Sequence, residues 1–203
     1  MNEDPRYRDL MQEIKERIHS ADYMLSHKTE LTEPLVLEFC FLQLRLICEC
    51  IAFACVIAHE YIQELKAPKF QKEWSADALM KALAQLHEDF FPEPKIISVV
   101  NNIVNMEDVN EPYLTKADVL KLYGLCNNKL HRGSPKKYRY VPAKGTHQLE
   151  EDRQLIIEYA NKTWKLLDNH WITHRDEKRC IICRLQVPDT PAEVWYVKPR
   201  KKK

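Results

Sequence analysis

The chain has 203 residues, enough for one full core, and 31 Lys+Arg against 30 Asp+Glu leave a net charge of +1. Bulk charge therefore names no partner, and any nucleic-acid surface would have to come from local clustering. The only glycines are Gly124, Gly133 and Gly145. This excludes a Gly-rich phosphate loop or dinucleotide fingerprint and favours helices over a turn-rich β fold.

In chain order, Asp4-Pro5 reads as an N-cap followed by the first helical residue. Leu10, Ile14, Ile18, Ala21 and Leu25 then recur at helical spacing to about His27. The opening residues lack the apolar core of a signal peptide and are too acidic for a transit peptide, so cytoplasmic residence is expected. After a turn from Lys28 to Pro34 comes the longest apolar run, Leu35 to Leu65, without Gly or Pro. As one helix it is the central rod of the domain. Glu38, Arg45, Glu49, His59, Glu60 and Gln63 fall on one polar stripe, interrupted by Leu42, Ala52 and Val56. Twenty mostly apolar residues could cross a bilayer, but Arg45 and Glu49 near the middle argue for a core helix instead. Cys40, Cys48, Cys50 and Cys55 lie in this run and are expected to be free thiols packed as small hydrophobes.

Ser75 opens a shorter helix with Leu79, Leu83 and Leu86, closed near Phe90 by Pro92 and Pro94. Lys95 to Tyr113 is rich in Ile and Val without a clean period, and predicts an irregular segment or a short strand. Thr115 to Asp118 has a capping-box pattern and starts a helix through Val119, Leu122, Tyr123, Cys126 and Leu130, with Gly133 placed to end it. A basic loop from Ser134 to Thr146 follows. A long helix from about Gln148 to Ile172 then carries Leu149, Ile156, Tyr159, Thr163, Leu166 and His170 on one side. Arg179–Leu185 and Val194–Val197 are β-prone, separated by turn residues, and predict a hairpin seated on that last helix by Trp164, Trp171 and Trp195. The expected fold is mainly α: a bundle of about five helices over residues 1–175, with a small C-terminal β-hairpin and basic tail over 176–203.

Two constellations carry chemistry. Leu122 to Ser134 places His131 and Arg132 at a helix end, with Asn127 one turn before His131 on the same face. Lys129, Lys136, Lys137 and Arg139 surround them, interleaved with Tyr138 and Tyr140. Histidine exchanges protons near neutral pH, and cations with aromatics can hold phosphates and stack on bases. The structural alternative is that His131 only caps the last carbonyls and the basic run is a solvated loop. In the second constellation, His170, His174, Cys180 and Cys183 place four zinc-type ligands close in sequence. Two histidines at i and i+4 could converge on a helix face. Cysteines three apart in a β-prone run point to opposite faces, however, so no metal is expected. Cys126 has no evident activating base, and His59-Glu60 lacks the second histidine of a zinc-protease helix.

The segment ending Tyr-Gly-Leu-Cys-Asn-Asn-Lys-Leu-His131, together with Leu42-Gln-Leu-Arg-Leu-Ile-Cys-Glu49, resembles the HEPN superfamily of small helical bundles over residues 5 to 172. The resemblance implies a metal-independent endoribonuclease with an Arg-x(4–6)-His motif, often completed by dimerisation, in a toxin or anti-phage role. The motif histidine maps to His131. Its arginine has no counterpart, because Gly124, Leu125 and Cys126 stand there and Asn127 is the nearest polar substitute. Arg45, oriented by Glu49, could supply the guanidinium from the central helix, or the two could form a buried ion pair that only fixes packing. RNA and a second copy of the chain are the expected partners, with no cofactor and no membrane. A catalytically inactive interaction or dimerisation module is the alternative.

Overall fold

The computed structural model describes residues 5–100, 103–131, 147–174, 180–185 and 191–197, with only the backbone at 99, 100, 103 and 104. The helices are α1 (Pro5–Ser26), α2 (Glu33–Ala58), a four-residue α3 (Pro68–Gln71), α4 (Ala76–Leu86), α5 (Lys116–Leu130) and α6 (His147–Leu167). The strands are β1 (Glu93–Val100), β2 (Ile103–Asp108), β3 (Asn169–Thr173), β4 (Cys180–Arg184) and β5 (Glu193–Val197). They form one antiparallel sheet in the order β2-β1-β3-β4-β5. The fold is therefore mainly helical as expected. The β part is larger than a small hairpin and is not confined to the C-terminus.

By length and composition α2 is able to cross a membrane. In the fold it is the core helix, packed against α1, α4, α5 and α6. It buries Val36, Leu37, Cys40, Phe41, Leu44, Ile47, Cys48, Ile51, Ala54 and Cys55. Apolar residues cover most of its circumference, so burying them requires neighbours on several sides. Its end comes earlier than Leu65. The last turn tightens through His59 N–H to Val56 O and Glu60 N–H to Ile57 O, and a 3-10 turn takes up Gln63–Lys66. The polar stripe divides accordingly: Glu38, Leu42, Arg45 and Glu49 reach solvent at least in part, while Ala52, Val56 and His59 are buried. Gln43, also buried, accepts a hydrogen bond from Arg17 at 2.8 Å.

Three other expectations change. Residues 93–100 and 103–108 form β1 and β2, whose ladder runs without interruption from Lys95 opposite Asp108 to Val100 opposite Ile103. The last long helix stops at Leu167, and 169–173 turn into β3. His-Trp-Ile-Thr is β-prone, and β4 pairs with it along its whole length, which outweighs the helical spacing of Leu166 and His170. The C-terminal hairpin is present, with Cys180 opposite Val197 and Arg184 opposite Glu193. The tryptophans do not seat it as expected. Trp164 stacks on His19 of α1, Trp171 lies in β3, and Trp195 is exposed. Ile181, Cys183, Leu185 and Ala192 belong to the same core as the helices. Asp4 and Gly133 lie outside the described residues.

Candidate functional site

The site is built where α5 packs along α2. Thr115 and Asp118 form the capping box at the start of α5. The Asp118 N–H donates to Thr115 Oγ1 at 3.1 Å, and the Thr115 N–H donates to Asp118 Oδ2 at 3.1 Å. Val119, Leu122, Tyr123 and Cys126 then face the core. Lys129 lies over the Phe41 ring and Arg45 over the Tyr123 ring, each at 5.8 Å, so α5 descends as α2 rises. Tyr123 and Asn127, four apart on α5, lie on one face, and His131 follows as the C-cap residue with extended backbone.

Arg45 and Glu49 are partners, with Nε 3.4 Å from Oε1, and the Tyr123 hydroxyl donates to the same Glu49 oxygen at 3.2 Å. Arg45 Nε is shut off from water without a good hydrogen bond, yet its side chain remains 29% exposed. Glu49 therefore holds Arg45 on its Nε side, beside the Tyr123 ring, while part of the side chain reaches solvent. Asn127 is half-buried and His131 is exposed. His131 caps α5, its backbone N–H donating to Asn127 O at 3.0 Å, and turns the chain out of the helix. Eight residues separate Tyr123 from His131, about 12 Å along the axis. His131 thus lies about two helical turns from the ring that Arg45 covers.

Lys129 is held by Asp152 of α6 at 2.6 Å. Arg132, Lys136, Lys137, Tyr138 and Arg139 lie outside the described residues. The groove of about 450 Å³ among α1, α2, α3 and α4 lies elsewhere, with Leu10, Phe53 and Phe70 among its lining residues. Asp9, Glu13, Glu60 and Glu73 also line it against one cation, Arg6, which is paired with Glu60, so the lining is acidic on balance.

The four zinc-type residues do not converge. His170 already uses both ring nitrogens, Nδ1 with Leu167 O at 3.0 Å and Nε2 with the Tyr7 hydroxyl at 2.7 Å. Burial pushes its pKa down to about 4. Cys183 lies opposite His170 and Cys180 opposite Thr173 in the ladder, and His174 stacks on Tyr61 at 4.5 Å. Among the described residues no three His, Cys, Asp or Glu side chains gather as a metal ion requires. The seven cysteines are free and buried. Burial raises the Cys126 pKa to about 12, against a weaker opposing pull from Arg45, so it is no nucleophile at neutral pH.

Sequence spacing gave no sign of one cluster. His59, His87 and His174 come from the ends of α2, α4 and β3, and the ring of His59 lies 5.0 Å from His87 and 6.1 Å from His174. His59 Nδ1 meets Cys55 O at 2.9 Å within its own helix end, and His87 Nε2 meets Thr173 O at 3.3 Å, which ties the end of α4 to the end of β3. Burial lowers the His59 pKa to about 4, and the neighbouring His87 and His174 add to the effect.

Comparison with family models, with curated proteins and with solved structures finds no match to this chain.

Proposed function

We propose that this chain is a HEPN-like, cytoplasmic protein that binds RNA and cleaves it without a metal. His131 acts as general acid/base on the 2′-hydroxyl or the leaving oxygen, and Asn127 positions it. Arg45, oriented by Glu49 and Tyr123, holds phosphate charge. Support comes from the α2–α5 seam, which lines up an anchored guanidinium, a carboxamide and an exposed imidazole over adjacent turns. The separation of Arg45 from His131 suits a neighbouring phosphate of the same strand, leaving the reacting phosphate to Arg132, the next residue in sequence.

The test incubates the purified chain and its His131→Ala and Arg45→Ala variants with tRNA and total RNA. His131→Ala should lower cleavage by about 10²–10⁴-fold, the usual worth of a general acid/base. Equal cleavage by all three proteins, or none by any, refutes the assignment. The second reading is an inactive interaction or dimerisation module in a toxin or anti-phage system. It is favoured by the pairing of Arg45 and Tyr123 with the same Glu49 carboxylate and by the missing Arg before His131. RNA binding that weakens with salt and on Lys136→Ala, Lys137→Ala and Arg139→Ala would favour the first reading.

A further inference from the structure

The groove among α1, α2, α3 and α4 brings together apolar surface and negative charge. Phe53 and Ile57 from the last turns of α2 line it, with Leu10 of α1 and Phe70 of α3. All four pack against the core but stay only half-buried, so each keeps apolar surface that the fold does not cover. A cavity of about 450 Å³ falls within the size range of small-molecule sites.

The carboxylates of the lining differ in how they are held. Arg6, the only cation among the described lining residues, closes on both oxygens of Glu60, at 3.2 and 2.5 Å. Arg17 grips Glu13 from outside the lining, and Lys69, also outside it, lies over the Phe70 ring at 4.8 Å. Asp9 meets Arg8 only loosely, at 3.8 Å. Glu73 uses Oε1 to accept the N–H groups of Trp74 and Ser75, at 2.9 and 2.8 Å, and among the described residues no cation pairs with it. Asp9 and Glu73 thus bring negative charge to an apolar slot without a firm counter-ion.

We propose that the groove is a binding site for an amphiphilic organic cation, an ammonium group on an apolar ring or chain. Length selects a small molecule over a partner helix. Arg6 to Glu13 on α1 and Phe53 to Glu60 on α2 and just beyond it each cover about 11 Å, two helical turns. A specific protein interface needs about 800 Å² from each side, more than so short a slot offers. Charge selects the head group, because an acidic lining favours an ammonium and disfavours phosphates and carboxylates. The apolar body covers Phe53, Ile57 and Leu10, and the ammonium goes to the rim carboxylates. The inference is independent of RNA chemistry at the α2–α5 seam, since it concerns a different surface.

Isothermal titration calorimetry of the full chain with three probes of one shape tests it: biphenylmethylammonium, biphenylmethanol and biphenylcarboxylate. The ammonium should bind, the alcohol should bind about tenfold more weakly, and the carboxylate should give no heat at millimolar concentration. Asp9→Asn with Glu73→Gln should weaken the ammonium about tenfold and leave the alcohol unchanged. Asp9 is exposed, and glutamine keeps a carbonyl oxygen for the Trp74 and Ser75 N–H groups, so the pair of changes spares the fold. No binding of the ammonium, equal binding of ammonium and alcohol, or an ammonium affinity that survives the double substitution overturns the proposal.

Discussion

Lowering the pH from 7 to 5 drives protons onto histidines that the unfolded chain accepts readily and the folded core does not. His59 and His170 are fully buried, and each falls from the ordinary 6.5 to about 4. The unfolded state therefore binds more protons throughout that interval. Stability is complete above about 6.5 and is lost as the pH falls toward 4. The gap of about 2.5 pH units corresponds to a limit of ~3.4 kcal/mol for each residue, at 1.36 kcal/mol per unit. About 2 kcal/mol of it is gone by pH 5, or ~4 kcal/mol for the pair. That is a large part of the 5–15 kcal/mol of about any single domain. Asp118 adds nothing in this window. Its burial is outweighed by the bonds from Thr115, so it titrates below the usual carboxylate range. Urea unfolding followed by circular dichroism at pH 7, 6 and 5 measures the loss. His170→Gln should lose about half of the pH dependence, whatever its stability at pH 7. A wild type that loses less than about 1 kcal/mol by pH 5, or a variant with undiminished dependence, would refute the assignment of buried neutral imidazoles.

Two stability predictions follow from single contacts. Tyr7→Phe removes the hydroxyl partner of His170 Nε2 in a fully buried site and should cost about 1–3 kcal/mol in urea unfolding. A change below about 0.5 kcal/mol would mean the contact carries no weight. Thr115→Ala opens the capping box of α5 and should cost about 1 kcal/mol, visible as a lower melting temperature, with Thr115→Ser recovering most of it.

Helices with one strong apolar face could be read directly from the sequence. The spacing of Leu10, Ile14, Ile18 and Ala21 marks α1, and Thr115 with Asp118 marks the start of α5 to the residue. The pairing of β1 with β2 was not legible, because Ser98, Asn101, Asn102 and Asn105 do not alternate with the Ile and Val residues between them. β3 was hidden for a different reason: Leu166 and His170 suit a helix, and only pairing with β4 selects the extended form. Of the candidate site, the Arg45–Glu49 pair followed from spacing alone. Tyr123 as their link did not, since it depends on how α5 lies against α2. The His59, His87 and His174 cluster, assembled from three element ends, leaves no periodic trace at all.

The Lys129–Asp152 bridge has a further consequence, for how the protein can change over time. It fastens the last turn of α5 to the first turns of α6, and so fixes the two stems between which residues 132–146 are inserted. A substitution of Lys129 leaves the mostly buried Asp152 carboxylate without its cation, so the two positions are expected to change together.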